Sequence, residues 1–204
     1  MTGRRPAKPA RVAVAGSRRI LVGYVTRSGY TRTVAQAIAK NLTEHGHLVE
    51  LADLELCLRR PAEYDAVVLG APIRFGHHSD AIKTFIAENR EALSGRPSAF
   101  FSVDKNAYRS RSPDPAGHLE KLFAEVGWRP ARAIAIAGKI DYREHTWARR
   151  IMMRLASKRR GAPTDTSRDH VLTDWTRVAS FCEQLSRDLA RRISSVRSPS
   201  VAPS

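Results

Sequence analysis

Short apolar runs alternate along this chain with longer segments in which apolar residues recur every three or four positions, a pattern that predicts strands and helices in turn. Ile20-Leu21-Val22-Gly23-Tyr24-Val25 is β-branched and apolar without polar alternation, which reads as a strand buried on both faces. In residues 31–45 the apolar side chains Val34, Ala35, Ile38, Ala39 and Leu42 share one helical face. Residues 47–52 predict a second strand, with Val49 and Leu51 alternating against polar neighbours, and residues 65–70 a third, wholly apolar one. Ser79 or Asp80 is placed to cap a helix reaching Asn89, with Ile82, Phe85 and Ile86 on one face. Residues 97–103 predict a fourth strand, residues 116–126 a helix stopped by Gly127 and Pro130, and residues 131–137 a fifth strand. A last helix spans residues 173–193, with Trp175, Val178, Phe181, Leu185 and Leu189 at helical spacing and Trp175 expected in the core.

Strands alternating with helices imply an α/β three-layer sandwich, a parallel sheet covered on both faces. Two connections stand out. The first is Thr26-Arg27-Ser28-Gly29-Tyr30-Thr31, a hydroxyl-rich turn with one glycine between the first strand and the first helix. Such a turn presents backbone N–H groups and hydroxyls to an anion, normally a phosphate. Its spacing is neither that of a P-loop nor the GxGxxG of a dinucleotide fold; it resembles the T/S-x-x-G-x-T phosphate loop of flavodoxins, which hold FMN. Five strands with a phosphate bound after the first match the flavodoxin-like order 2-1-3-4-5, in which ligands sit at the carboxyl ends of strands one, three and four. The second connection is the stretch 139–169 before the last helix, too long for an ordinary link and therefore expected to be functional.

Length and charge refine this picture. At 204 residues the chain has room for one full core with tails: a basic disordered arm over residues 1–19, a flavodoxin-like domain over 20–193 and a Ser/Pro-rich disordered tail over 194–204. No apolar run approaches the roughly 18 residues needed to span a bilayer. Net charge is +15 and unevenly placed: residues 1–19 carry six basic and no acidic side chains, and residues 139–160 carry eight basic against Asp141 and Glu144. Clusters of this kind point to polyanions: nucleic acid, anionic lipid or an acidic small molecule. Cys57 and Cys182 are lone thiols without metal or redox spacing, so no metal site is expected and a reducing cytoplasm fits.

With these segments placed, the chain resembles the flavodoxin-like, menaquinone-dependent protoporphyrinogen IX dehydrogenases over roughly residues 20–190. The resemblance rests on the Thr26–Thr31 turn, on Ile73-Arg74-Phe75-Gly76-His77, and on Thr164-Asp165-Thr166 followed by Thr173-Asp174-Trp175. The basic arm is extra, and residues 109–115 do not align. The resemblance implies an FMN enzyme of haem biosynthesis that oxidises protoporphyrinogen IX and passes electrons to menaquinone or another respiratory quinone. It places the phosphate on Thr26, Arg27, Ser28, Gly29, Tyr30 and Thr31. The flavin ring then lies between Ile73, Arg74, Phe75 and Gly76 on one side and Val103, Asp104 and Asn106 on the other, with Phe75 a stacking partner. No acid–base residue is evident. His77 and His78 are expected to cap or solvate the helix that follows them.

The insertion adds its own expectation. If residues 147–158 are helical, Trp147, Ile151, Met152 and Leu155 share a face while Arg149, Arg150 and Arg154 lie mainly elsewhere. A basic amphipathic helix of this kind suits an anionic membrane surface. Tyr142, Trp147, Arg149, Arg150 and Arg154 are thus candidates for substrate or membrane contact. The expected partners are a porphyrinogen, a quinone and the inner face of the cell membrane, with a homo-oligomer left open and no nucleic acid. Three alternatives stand beside this one: an NAD(P)H:quinone reductase, an electron-transfer flavodoxin, and a non-enzymatic basic binding module that keeps the fold, against which the intact loop chemistry at all three ligand-bearing strand ends argues. The charge of +15 argues against the shuttle, because such shuttles are generally acidic.

Overall fold

The computed structural model describes residues 17–57, 59–104, 107, 112, 114–140, 170, 171 and 173–196. Five parallel strands make the central sheet: β1 (Arg19–Tyr24), β2 (Leu48–Asp53), β3 (Ala66–Pro72), β4 (Ser98–Asp104) and β5 (Arg132–Ala137). Their order is β2-β1-β3-β4-β5. This confirms the flavodoxin-like arrangement expected from the alternation of elements. Helices α1 (Tyr30–Glu44), α2 (Asp80–Glu88), α3 (Arg90–Ser94), α4 (His118–Val126) and α5 (Trp175–Val196) connect and flank the strands.

Alternate residues of each strand feed two separate cores. Ile20, Val22 and Tyr24 of β1 and Phe101 of β4 pack with Val34, Ile38 and Leu42 of α1 and with Val178, Phe181 and Leu185 of α5. Leu21 and Val25 belong to the opposite core, together with Phe100, Ile82 and Ile86 of α2 and Leu119, Leu122 and Phe123 of α4. The apolar runs read as two-sided strands are therefore two-sided. Because β1 sits between β2 and β3, the chain crosses the sheet there: α1, after β1, packs on one face and α2, after β3, on the other. In sheets of this order ligands bind outside the carboxyl ends at such a point.

Several boundaries differ from the sequence reading. Arg19 is the first residue of β1 rather than the end of a disordered arm, and Asp65 accepts its N–H at 2.8 Å. Beyond Asn89 the chain turns again into α3, which buries Leu93. The last helix continues to Val196, past the expected start of the tail. Ser79 occupies the N-cap of α2 in extended conformation, but its side chain makes no capping bond. Instead Asp114 serves α4, its carboxylate accepting the N–H groups of Leu119 and Glu120, and Asp174 serves α5 through the N–H groups of Thr176 and Arg177.

Trp175 was expected in the core and is 43% exposed. It is the first residue of α5, level with the last residue of β5, to whose carbonyl the neighbouring Thr173 is bonded. The next residue of that face, Val178, is buried one turn further into the helix. The insertion also has a root that periodicity did not reveal: β6 (Lys139–Ile140) pairs antiparallel with β7 (His170–Val171). The chain between these two strands, with Tyr142, Trp147, Arg149, Arg150 and Arg154 and the helix read over 147–158, lies outside the described residues, as do Asn106 and the outer parts of both tails.

Candidate active site

The carboxyl edge of the sheet gathers the turns that follow β1, β3 and β4. After β1, Val25 is still tied to the sheet by its N–H bond to Gly70 O at 2.9 Å. The chain then turns through residues 26–29 and enters α1. Gly29 is the N-cap, at φ 80° and ψ −16°, and no side chain caps the helix. That left-handed conformation is open to glycine at little cost and uncommon for other residues. The first N–H groups of a helix have no intrahelical acceptor, and the first turn of α1 holds no acidic residue. The Thr26 hydroxyl is buried and has no hydrogen-bond partner among the described residues. A buried hydroxyl is normally satisfied, so one left over beside an uncapped helix N-terminus matches an anionic ligand. Arg27, Ser28 and Gly29 are exposed, whereas Thr31 is buried, at 2% exposure, against the domain. Tyr30 turns its hydroxyl away to Thr173 at 2.7 Å.

The turn after β3 is a two-residue hairpin. Arg74 N–H donates to His77 O at 2.9 Å and His77 N–H to Arg74 O at 3.0 Å. Its central residues, Phe75 and Gly76, have φ of 51° and 81°. Positive φ at both positions is the signature of a type I′ turn, which strongly favours Asn-Gly or Gly-Gly. A phenylalanine there is strained by roughly 1–2 kcal/mol. The strain holds the ring out in solvent, 87% exposed, with the Arg74 guanidinium over it at 5.7 Å. An exposed aromatic ring has a free face on which a planar ring can stack.

The pairing of β3 with β4 runs one residue past Pro72, where Ile73 N–H donates to Val103 O at 2.9 Å. Asp104, the last residue of β4, is buried, and its carbonyl accepts from Gly138 N–H at 3.2 Å. The expected ring-flanking residues Ile73, Arg74, Phe75, Gly76, Val103 and Asp104 are thus brought to one edge beside the turn after β1.

The two adjacent histidines diverge. His77 is exposed, with Lys121 Nζ 3.4 Å from its Nδ1. His78 neither caps nor solvates α2, contrary to expectation. It is buried, bonded through Nε2 to Ser102 Oγ at 2.6 Å, and meets Phe100 edge-on at 5.6 Å. Burial foremost, with help from neighbouring cations, pushes its pKa down to about 4, so it is neutral at physiological pH. Sequence reasoning missed Thr173, although it opens one of the runs that carry the family resemblance.

A family model for a flavodoxin domain matches residues 21–167. Protoporphyrinogen IX dehydrogenase [quinone] of Escherichia coli strain K12 is 36% identical over 168 residues, covering 81% of this chain and 93% of its own length. The Leishmania major protein of the same name is 30% identical over 171 residues, covering 81% of this chain and 73% of its own. The chain belongs to the flavodoxin-domain protoporphyrinogen IX dehydrogenase (quinone) family. As a member of that family it is an oxidoreductase. Oxidised flavodoxin 1 from Bacillus cereus shares the fold, with a TM-score of 0.50 at 16% identity over 83% of this chain and 97% of its own. Among the described residues, no helix is long and apolar enough to cross a membrane.

Proposed function

We propose that this dehydrogenase-family chain binds FMN at the carboxyl edge and oxidises protoporphyrinogen IX, delivering the electrons to a respiratory quinone, menaquinone, as a step of haem biosynthesis. The observation that carries the FMN site is the buried, unpartnered Thr26 hydroxyl in the turn that opens α1. The porphyrinogen and the quinone come from the names of the relatives. FMN supplies a flavin ring able to take electrons from one partner and pass them to another.

The residues around it have separate tasks. Thr26 and Ser28 offer hydroxyls, and the backbone N–H groups of residues 26–31 with the positive end of α1 balance the phosphate charge. Arg27 lies beside them as an exposed cation. Ile73, Gly76, Val103, Asp104 and Asn106 flank the ring. Phe75 covers one of its faces, backed by Arg74. No described side chain is assigned as acid or base: His78 is buried away from solvent and held neutral.

The basic stretch 139–160 brings the protein to the anionic inner face of the cell membrane, where a lipid-soluble quinone is found. Tyr142, Trp147, Arg149, Arg150 and Arg154 serve there as substrate or membrane contacts.

The test is an absorption spectrum of the purified protein followed by analysis of the flavin released on denaturation. Flavin bands with FMN released, and porphyrin fluorescence rising above autoxidation when protoporphyrinogen IX and a menaquinone analogue are supplied, are expected. Protein that stays colourless after incubation with FMN overturns the reading. Rapid reduction by NADPH without porphyrin formation favours a quinone reductase instead.

A further inference from the structure

The phosphate turn is fastened to the far end of the chain through two consecutive hydrogen bonds. Thr173 Oγ1 donates its proton to Ala137 O at 2.5 Å. With that proton committed, the same oxygen accepts from Tyr30 OH at 2.7 Å, so the pair has one sense only. Tyr30 is the first residue of α1 and follows the left-handed Gly29. Thr173 stands immediately before Asp174, whose carboxylate caps α5, and β7 ends two residues earlier at Val171. Ala137 closes β5, and the next residue, Gly138, is bonded to Asp104 O. One hydroxyl thus connects the start of α1, the end of β5 and the start of α5.

From this geometry we infer that Thr173 is a positioning residue for the phosphate site: through Tyr30 it holds the N-terminus of α1 in place, although it does not touch the phosphate itself. The inference rests on the FMN reading above. Its physical basis is the absence of any side-chain cap on α1. An uncapped helix end preceded by glycine frays readily, and a frayed first turn no longer converges its N–H groups on an anion. The Tyr30–Thr173 bond anchors that turn from the side, between two side chains, and so consumes none of its backbone N–H groups. Holding donors in place before the ligand arrives reduces the ordering cost of binding.

The test compares FMN with riboflavin, which presents the same ring without the phosphate, by fluorescence titration of protein stripped of flavin. Tyr30→Phe removes the Tyr30–Thr173 link alone, Thr173→Val removes it together with the bond to Ala137 O, and neither adds a polar group. Each is expected to weaken FMN binding by roughly three- to tenfold, the effect of one neutral hydrogen bond. Riboflavin binding should stay as in the wild type. The double variant should be no weaker than either single one, and Thr173→Ser, which keeps the hydroxyl, should bind FMN normally. Unchanged FMN affinity in both single variants, an equal loss of riboflavin, or multiplying effects in the double variant overturns the inference while leaving the FMN reading intact. A wild-type protein that binds no FMN removes that reading and this inference together.

Discussion

The ring of Phe101 on β4 lies across Gly70 on the adjacent β3 so closely that a Cβ at position 70 would stand 1.9 Å from Phe101 Cζ. Both residues are buried, and they are paired in the β3–β4 register. Gly70 is also where the sheet meets the site, since its carbonyl holds Val25 just before the turn into α1. Gly70→Ala therefore has to displace a close-packed aromatic ring. It is expected to destabilise the protein by about 1–3 kcal/mol, the usual range for overpacking. Urea denaturation measures this, and Gly70→Ala combined with Phe101→Leu should recover part of the loss.

Phe75 makes the opposite prediction for stability. Asn-Gly is a preferred pair for a type I′ turn, so Phe75→Asn relieves the strain at φ 51°. The variant should be more stable by about 1 kcal/mol. If Phe75 covers the flavin ring, the same change lowers porphyrinogen turnover. Denaturation curves read together with turnover check both halves, and a variant gaining stability without losing activity argues against the stacking role.

Thr26→Val separates ligand binding from folding in a similar way. Its hydroxyl has no partner among the described residues, and burying an unsatisfied hydroxyl costs about 1 kcal/mol or more. The flavin-free variant should be as stable as wild type or slightly more so. Its affinity for FMN should fall by about 1.5–3 kcal/mol, the range for a hydrogen bond to a charged group. Isothermal titration with FMN and thermal melting of the apoprotein test the two expectations.

His78 predicts a pH dependence. Its pKa in the folded state is about 4, below the roughly 6.5 of an unperturbed imidazole. Between these values the unfolded chain binds a proton that the folded one does not, so stability rises with pH across that window. The contribution is complete above about pH 6.5, is lost as pH falls towards 4, and is on the order of 3 kcal/mol in total. Buried His47, also shifted downward by burial, adds in the same direction. Replacing His78 with Gln should flatten the slope of unfolding free energy against pH between 4 and 6.5, leaving the smaller share from His47.

Charge reversal tests the membrane proposal. Arg149, Arg150 and Arg154 changed to Glu should abolish binding to anionic liposomes while leaving the flavin spectrum unaltered. Wild-type binding should weaken at high salt, because the attraction is screened. A protein starting near Arg19 controls for the equally charged N-terminal arm. If that truncation alone removes binding, the arm and not the insertion is responsible.

The core strands were legible because they are buried on both faces, so their apolar runs need no partner to be recognised. The turn after β1 was legible for a related reason: hydroxyls and glycine between a strand and a helix are a local signal. Other features were not local. His78 reads as a surface histidine until Ser102 and Phe100, more than twenty residues on, close over it. Trp175 has the helical phase of a core residue, but phase does not reveal that it is the first residue of its helix and is left 43% exposed. Thr173 carried no chemical signal of its own, because its value lies in a bond to a residue near the start of the chain.

That bond closes a loop of 143 residues. During synthesis on a ribosome, β1, the turn and α1 emerge early, and most of the sheet can pair before position 173 exists. The first turn of α1 therefore stays without its side anchor until α5 has been made and docked. The full affinity proposed for this turn is then a late event in the life of each molecule, reached only when the last helix has closed the core over β1 and β4.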